Sequence, residues 1–504
     1  MSPPHLEPVP VAALDPRRFA SVTTDEQYAA LVGLIEEGAR ELAGRVVWNV
    51  NSTAKGGGVV ELLRPLLGYS RGSGVDARWK VIAGSPEFFA ITKRLHNQLH
   101  GFKGDGGALG ASEHVIYERT LAAAAKELAR LVRLDDVVIL HDPQTAGLVD
   151  PVKATGAAVI WRCHVGRDRG NQYAHAAWEF LRDYVLDADA FVFSRRDFVW
   201  EGLPAERVAV IHPSIDAFSP KNQDQTRAQS LAILSRAGII PDHARQVTFT
   251  RSDGTPGRVD RQAVMVEERP LAENDALVTQ VSRWDRLKDP VGVLTAFAEH
   301  INHDTDAHLL LAGPMTDSVS DDPEGAAVLA AVHEAWERLP RKVRGRVHLA
   351  SLPMEDLEEN AAIVNALQRH STVVVQKSLA EGFGLTVAEA MWKERPVVAS
   401  AVGGIQDQIV DGESGILIAR PRDLETFGRA VAGLLDDPDR VRRMGKAARL
   451  RVRDRFLGPE HLGHYFELIQ KLIAQRSDQM VSGTISIAPH GHSSTQRPQP
   501  LQKS

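Results

Sequence analysis

The stretch Arg45-Val46-Val47-Trp48-Asn49-Val50-Asn51-Ser52-Thr53-Ala54-Lys55-Gly56-Gly57-Gly58 runs from a short apolar segment into a polar, glycine-rich turn, and residues 59–67 beyond it have helical spacing. Strand, loop and helix in that order make the repeating unit of α/β folds. The unit recurs. Further strands are predicted at 77–83, 136–140, 157–163, 190–193 and 208–211, with helices at 87–99 and 174–185. A second series begins at 276–281. It continues with strands at 308–312, 347–349, 372–376, 396–400 and 415–418, and helices at 292–299, 326–338, 385–393 and 424–435. The strands are apolar on both faces, as strands of a helix-covered parallel sheet are. The fold class is therefore α/β, two Rossmann-like doubly wound domains whose carboxyl-end loops face each other across a cleft.

A chain of 504 residues has room for two cores of about 200 residues each. An N-terminal arm over 1–40, proline-rich in its first half, precedes a first domain at 41–215. The second domain spans 216–475, with a hairpin-like insertion at about 243–272 turning at Asp253-Gly254, and a disordered tail fills 476–504. A net charge of −6 gives no reason to expect nucleic acid, which is bound through surplus Lys and Arg. No apolar run reaches the ~18 residues of a membrane span, so no membrane partner is expected. The first residues have neither a basic nor an apolar signal region, and the single cysteine, Cys163, fits a reducing cytoplasm. Cys163 lies in an apolar strand and reads as a small core hydrophobe. The Asp and His residues show no metal-ligand spacing, and no metal or other cofactor is expected.

Three segments carry chemistry. The Gly56-Gly57-Gly58 turn sits between the first strand and its helix, where backbone amides can cradle an anion, although tight turns also need glycine. Arg283 and Lys288 leave the first strand of the second domain, placed either to reach a diphosphate or to form a solvated charged turn. The run Glu381-Gly382-Phe383-Gly384-Leu385 leads into a helix carrying Glu389 two turns further on. Its glycines let the main chain approach a ligand, and the helix amides favour phosphate. Glu381 and Glu389 are eight positions apart, too far for a surface i, i+4 pair, and suit two parts of one ligand.

This combination, with Ala401-Val402-Gly403-Gly404-Ile405, resembles the retaining GT-B glycosyltransferases of family 4. The resemblance implies that Arg283 and Lys288 hold nucleotide-sugar phosphates, that Glu389 binds ribose hydroxyls and that Glu381 lies by the transferred sugar. Trp48–Thr53, Gly56–Glu61, Asp76–Trp79, Glu87-Phe88-Phe89 with Thr92–Asn97, and Trp161-Arg162-Cys163-His164 are similar to the trehalose synthases that move glucose from a nucleoside diphosphate to glucose. Fungal-type trehalose phosphorylases are a related version. His141 and His164, each ending a strand, are implied near the sugars, and Asn51, Lys93, His96 and Asn97 near the acceptor. The resemblance also implies a reversible, retaining transfer without a metal, small sugar and nucleotide-sugar substrates, and a homodimer. After His164 this chain has Val165-Gly166 where those synthases have an Ile-Asp pair. Synthase, phosphorylase and a non-catalytic sugar-binding protein on the same fold remain three readings at this stage.

Overall fold

The structure is a computed structural model that describes residues 5–55, 57–241, 246–303, 305–316 and 323–481. The first sheet contains β1 (Leu6–Val9), β2 (Val46–Asn51), β3 (Asp76–Ile82), β4 (Val137–His141), β5 (Ala158–Cys163), β6 (Ala190–Phe193) and β7 (Val208–Val210). Its order is β1-β3-β2-β4-β5-β6-β7, parallel except for β1. A separate antiparallel hairpin follows, β8 (Thr248–Thr250) with β9 (Pro256–Arg258). The second sheet contains β10 (Val264–Val266), β11 (Leu277–Val281), β12 (His308–Pro314), β13 (Val347–Leu352), β14 (Val373–Gln376), β15 (Val397–Ser400) and β16 (Ile416–Ile418). Its order is β10-β13-β12-β11-β14-β15-β16, with only β10 antiparallel.

The doubly wound pattern read from the sequence is present twice. Alternation along the strands explains both covered faces of the first sheet. Val50, Leu140, Trp161 and Phe191 fill one side, while Val47, Ile139, Ile160 and Val192 fill the other. Each fully buried side chain of this kind adds about 1.5–3 kcal/mol. Strand order reverses at β2/β4 in the first sheet and at β11/β14 in the second. Loops beyond the carboxyl ends of strands diverge at such points and leave a crevice for a ligand.

Two segments differ from the sequence reading, and the insertion agrees with it. The proline-rich first half of the N-terminal arm, expected to be irregular over residues 1–20, is not irregular throughout where described, and the second half is helical. Leu6–Val9 adds an antiparallel strand to β3, whose free edge offers unpaired N–H and C=O groups. Asp25–Glu41 is a helix opened by a Thr24/Gln27 capping box, Gln27 N donating to Thr24 Oγ1 at 3.2 Å and Thr24 N to Gln27 Oε1 at 3.0 Å. The insertion does turn as a hairpin, and Arg251 ties it to Asp356 and Glu358 at the start of helix Leu357–His370. The last helix, Gly458–Val481, runs through the first residues of the expected tail; residues 482–504 lie outside the described ones.

That last helix crosses back to the first domain. Tyr465, Phe466, Ile469 and Leu472 pack with Leu42, Val47 and Ile139, because its apolar face finds an uncovered sheet face there. An apolar cavity of about 80 Å³ remains beneath it, lined by Leu31, Leu66, Ile139 and Phe466 and away from the cleft. Among the described residues no helix is long and apolar enough to cross a membrane.

The arm seats Leu14 against helix Gly58–Gly72, with Leu14 N donating to Gly68 O at 2.9 Å. A Cβ on Gly72 would lie 1.7 Å from Leu14 O, inside backbone that cannot yield cheaply. Gly72→Ala is expected to lower stability by about 1–3 kcal/mol, read as a shifted denaturant midpoint; an unchanged midpoint contradicts this packing.

Candidate active site

Two loops from the second switch point interlock. After β11 the chain makes a 3-10 turn, Arg286–Lys288, and Asp289 takes the left-handed conformation (φ 48°, ψ 49°) before capping helix Pro290–Ala296 through Gly292 N at 3.2 Å. After β14 the chain runs Lys377-Ser378-Leu379-Ala380-Glu381. Lys288 Nζ pairs with Glu381 Oε2, and Lys377 Nζ, fully buried, pairs with Asp289 Oδ2. Each loop thus supplies one cation and one anion. Leu379 N donating to Leu287 O at 2.7 Å fastens them further, and Ser378 Oγ donates to Glu381 Oε2 at 3.2 Å. Arg283 stands at the rim, its side chain 64% exposed and, among the described residues, held by Asp285 at 3.2 Å.

Gly384 (φ 82°, ψ 60°) turns the chain into helix Leu385–Trp392 with no side chain capping its amides. Gly403 underlies this turn. A Cβ there would come 1.9 Å from Glu381 O, and the residue has φ +50°. Gly404 N donates to Gly382 O at 2.8 Å. Phe383 points away into the core, beside Phe456 and His212. Glu389 lies inside the helix, almost fully buried. Its Oε1 is 3.5 Å from Lys221 Nζ, which also contacts both Glu61 oxygens at 3.0 Å. Burial alone would push the Lys221 ammonium toward neutrality, yet Glu389 and Glu61 raise its proton affinity.

The first domain supplies the opposite wall. Gly57 (φ 85°) starts helix Gly58–Gly72, and a Cβ on Gly58 would sit 3.7 Å from Leu385 Cδ1, so the two glycine-led helix starts face each other. Gly56 lies outside the described residues. His96 and His100 sit one turn apart at the end of helix Pro86–Leu99, ring centroids 5.0 Å apart. His100 Nδ1 donates to Gly166 O at 3.2 Å, which leaves its Nε2 as an acceptor. A Cβ on Gly382 would lie 3.9 Å from His100 Cε1 and 3.6 Å from His164 O, so this wall touches the Glu381 loop. Burial depresses His100 to about 4 against the opposing pull of Glu381; burial, then His100, Lys93 and Arg283, lower His96.

His141 is 1% exposed, its Nε2 at 2.9 Å from Asn49 Oδ1 and its Nδ1 at 3.0 Å from His164 Nε2. Burial, helped by Arg162, brings it to about 3. Its neighbour Asp142 is raised by burial to about 6, against His164 N–H and Arg162. Asn51 is turned inward: its Nδ2 donates to Thr53 O at 2.7 Å and its Oδ1 accepts from Trp79 Nε1 at 2.8 Å. Asn51 therefore shapes the loop. Lys93 is exposed and Asn97 half-buried. Gly166 admits no side chain, because a Cβ would meet Phe198 Cγ at 2.4 Å.

A cross-domain clamp completes the site. Arg195 pairs with Asp168 at 3.1 Å, Asp197 at 2.7 Å and Asp407 at 3.0 Å, and donates to Gly403 O at 2.7 Å. Asp168 in turn accepts from Gly403 N and Gln406 Nε2. Sequence reasoning missed Arg195, Asp168, His100, Lys221 and Lys377. Only His100 left a signal, one turn beyond His96; the others are charges whose partners across the cleft or between loops are remote in sequence.

Facing doubly wound domains with a cationic loop, two glycine-led helix starts and a buried carboxylate at their switch points are the GT-B architecture of glycosyltransferases. The family description "Trehalose synthase, N-terminal domain" matches residues 49–200 and "Glycosyl transferases group 1" matches 262–451. A trehalose synthase of Pyrococcus horikoshii is 34% identical over 454 residues, covering 89% of this chain and 96% of that one. One from Rubrobacter xylanophilus is 34% identical over 446 residues, 88% and 94% of the two chains. The chain belongs to the trehalose synthase family of glycosyltransferases. A trehalose phosphorylase of Pleurotus pulmonarius is 25% identical over 432 residues, 80% of this chain and 54% of that one. In fold, the chain is similar to an α,α-trehalose-phosphate synthase (UDP-forming) from Burkholderia xenovorans solved with glucose-6-phosphate. That likeness has a TM-score of 0.62 at 15% identity, covering 85% of this chain and 100% of that one.

Buried neutral histidines make stability depend on pH. Unfolded histidine titrates near 6.5, so the contributions of His100 and His141 are full above about pH 6.5 and decline as pH falls toward 4 and 3, by up to about 1.4 kcal/mol per pH unit for each proton. Denaturant midpoints are expected to drop between pH 6.5 and 4; a flat profile contradicts their burial as neutral groups. Gly403→Ala is expected to displace the Glu381 loop and cut turnover at least tenfold in a folded protein, so wild-type turnover would contradict that close contact.

Proposed function

We propose that this enzyme transfers glucose reversibly, with retention of configuration, from a nucleoside diphosphate glucose to glucose, forming trehalose. The observation that carries the reading is the Lys288–Glu381 pair beside exposed Arg283, opposite the Gly57–Gly58 helix start. In this reading the donor diphosphate enters between them, and Lys288 exchanges its carboxylate partner for a phosphate oxygen. Arg283 adds a planar fork, and the uncapped amides after Gly57 and Gly384 face the same charge. Glu381, released by Lys288, accepts hydroxyls of the transferred glucose, while Glu389 takes the ribose hydroxyls and the Gly382–Leu385 main chain lines the donor. The acceptor glucose lies against Lys93, His96, Asn97, His100 and His164.

The glycosidic bond from C1 to the leaving phosphate oxygen breaks as the acceptor oxygen forms its bond on the same face. The acceptor proton passes to that phosphate oxygen. Negative charge grows on the phosphate during bond breaking, so fixed cations and amides there bind the transition state more tightly than the ground state. The reading involves no metal. Similarity to trehalose phosphorylases supports a second reading, in which inorganic phosphate occupies the leaving-phosphate position.

Lys288→Ala and Glu381→Ala are each expected to lower kcat by about a hundredfold to a thousandfold in folded protein. Near-normal turnover of either would sink the assigned site. Glu389→Ala should mainly weaken nucleotide binding, measured by calorimetry with ADP and UDP. The deciding experiment incubates the protein with trehalose and ADP, UDP or phosphate and identifies the glucosyl product: a nucleoside diphosphate glucose supports the synthase, glucose 1-phosphate the phosphorylase, and no product refutes both.

A further inference from the structure

Arg162, at the end of β5, is fully buried beneath the cleft and has no carboxylate ion pair among the described residues. Its Nη2 donates to Ser194 Oγ at 3.0 Å, and its Nε donates to His164 Nδ1 at 3.4 Å. A guanidinium is donor only and does not lose its proton. That single direction propagates. His164 must present a lone pair at Nδ1, so its proton sits on Nε2. This proton points at His141 Nδ1, 3.0 Å away, which must then be an acceptor. His141 therefore carries its own proton on Nε2, where Asn49 Oδ1 accepts it at 2.9 Å. Arg162 on β5, His164 just beyond its end, His141 on β4 and Asn49 on β2 form one directed chain across three adjacent strands. Its middle member also reaches the donor side, for His164 O abuts Gly382.

We propose that Arg162 is a positioning residue for the sugar transfer, dictating the tautomers of His164 and His141 so that the cleft floor is two neutral imidazoles in one fixed orientation. This rests on the reading of the cleft as the transfer site. The consequence is chemical. A permanent buried cation beside both rings opposes a second positive charge beneath a glucose whose C1 becomes electron-poor as the phosphate leaves. Neither ring nitrogen of His141 is left to act as an acid or base, so its contribution is shape and a fixed dipole.

The test compares wild type, Arg162→Met, Arg162→Lys and Asn49→Leu, labelled with ¹⁵N-histidine; ring signals are assigned by loss in His141→Gln and His164→Gln. In wild type both rings are expected to be neutral with the proton on Nε2. Arg162→Met should mix or shift these states and lower kcat by about tenfold to a hundredfold, the range typical of groups that orient a functional side chain, with ADP and UDP affinity unchanged. Arg162→Lys, which keeps a donor, should restore most of both. Asn49→Leu removes only the last acceptor of the chain, so both rings should keep their proton on Nε2, and it keeps the proposal testable if Arg162→Met fails to fold. A proton on Nδ1 of either ring in wild type overturns the proposal, as does an Arg162→Met protein with wild-type spectra and kcat. So does an Asn49→Leu protein in which either ring moves its proton to Nδ1. Ring spectra are recorded without substrate, so failure of wild type to make trehalose would refute the reaction and leave the tautomers independently decided.

Discussion

Two ion pairs crossed between the loops after β11 and β14 hold the working end of this molecule. Lys288–Glu381 lies toward the cleft and Lys377–Asp289 behind it. The rear pair is the deeper, with Lys377 fully buried, and removing one partner of such a pair leaves an uncompensated charge, a loss of about 3–5 kcal/mol. It holds Asp289 in a left-handed conformation that a non-glycine residue adopts only under external constraint. Lys288 is the adjacent residue, so the strained turn sets where its side chain begins. The front pair can then exchange partners while its frame stays still, as binding a phosphate at that position requires.

The same economy of fixed frame and exchangeable contact holds between the domains. Apolar packing of the returning helix against the first sheet gives a non-directional attachment. The polar clamp is directional. Arg195 gathers three carboxylates and a carbonyl at the Gly403 turn, which itself lies against the carbonyl of Glu381. Lys221 joins Glu61 of the first domain's leading helix to Glu389. Both links end at carboxylates or backbone flanking the Glu381 loop, so the relative placement of the domains and the geometry of that loop are one mechanical problem.

Much of the fold was legible because a parallel sheet buried on both faces writes each strand as a short apolar run. Ala190–Phe193 and Leu424–Leu435 coincide with their predicted limits. The Asp25–Glu41 helix announces itself in sequence only by its Thr24…Gln27 capping box, a short signal beside a proline-rich start. Leu6–Val9 carries only weak alternation; its strand state comes from the open edge of β3. The site was legible in part. Lys288, Glu381 and the glycines around them come together and Arg283 stands at the rim, while Asn51 and Phe383 turn away because a tryptophan donor and a hydrophobic core, respectively, claim their side chains.

Sequence alone determined most of the strands and their succession along the chain, because strand hydrophobicity and glycine-bearing turns are local properties. It also determined the residue types in the loops that follow those strands, the ones on which the proposed binding of an anionic, hydroxyl-rich ligand rests. Tertiary structure decided which charge meets which. Lys288 and Glu381 are separated by 93 positions and Arg195 and Asp407 by 212, and no local pattern encodes such pairs. It likewise decided the protonation of the cleft floor. His141 and His164 are ordinary strand-end histidines in sequence, and only burial beside Arg162, in register across parallel strands, gives each ring nitrogen its single partner.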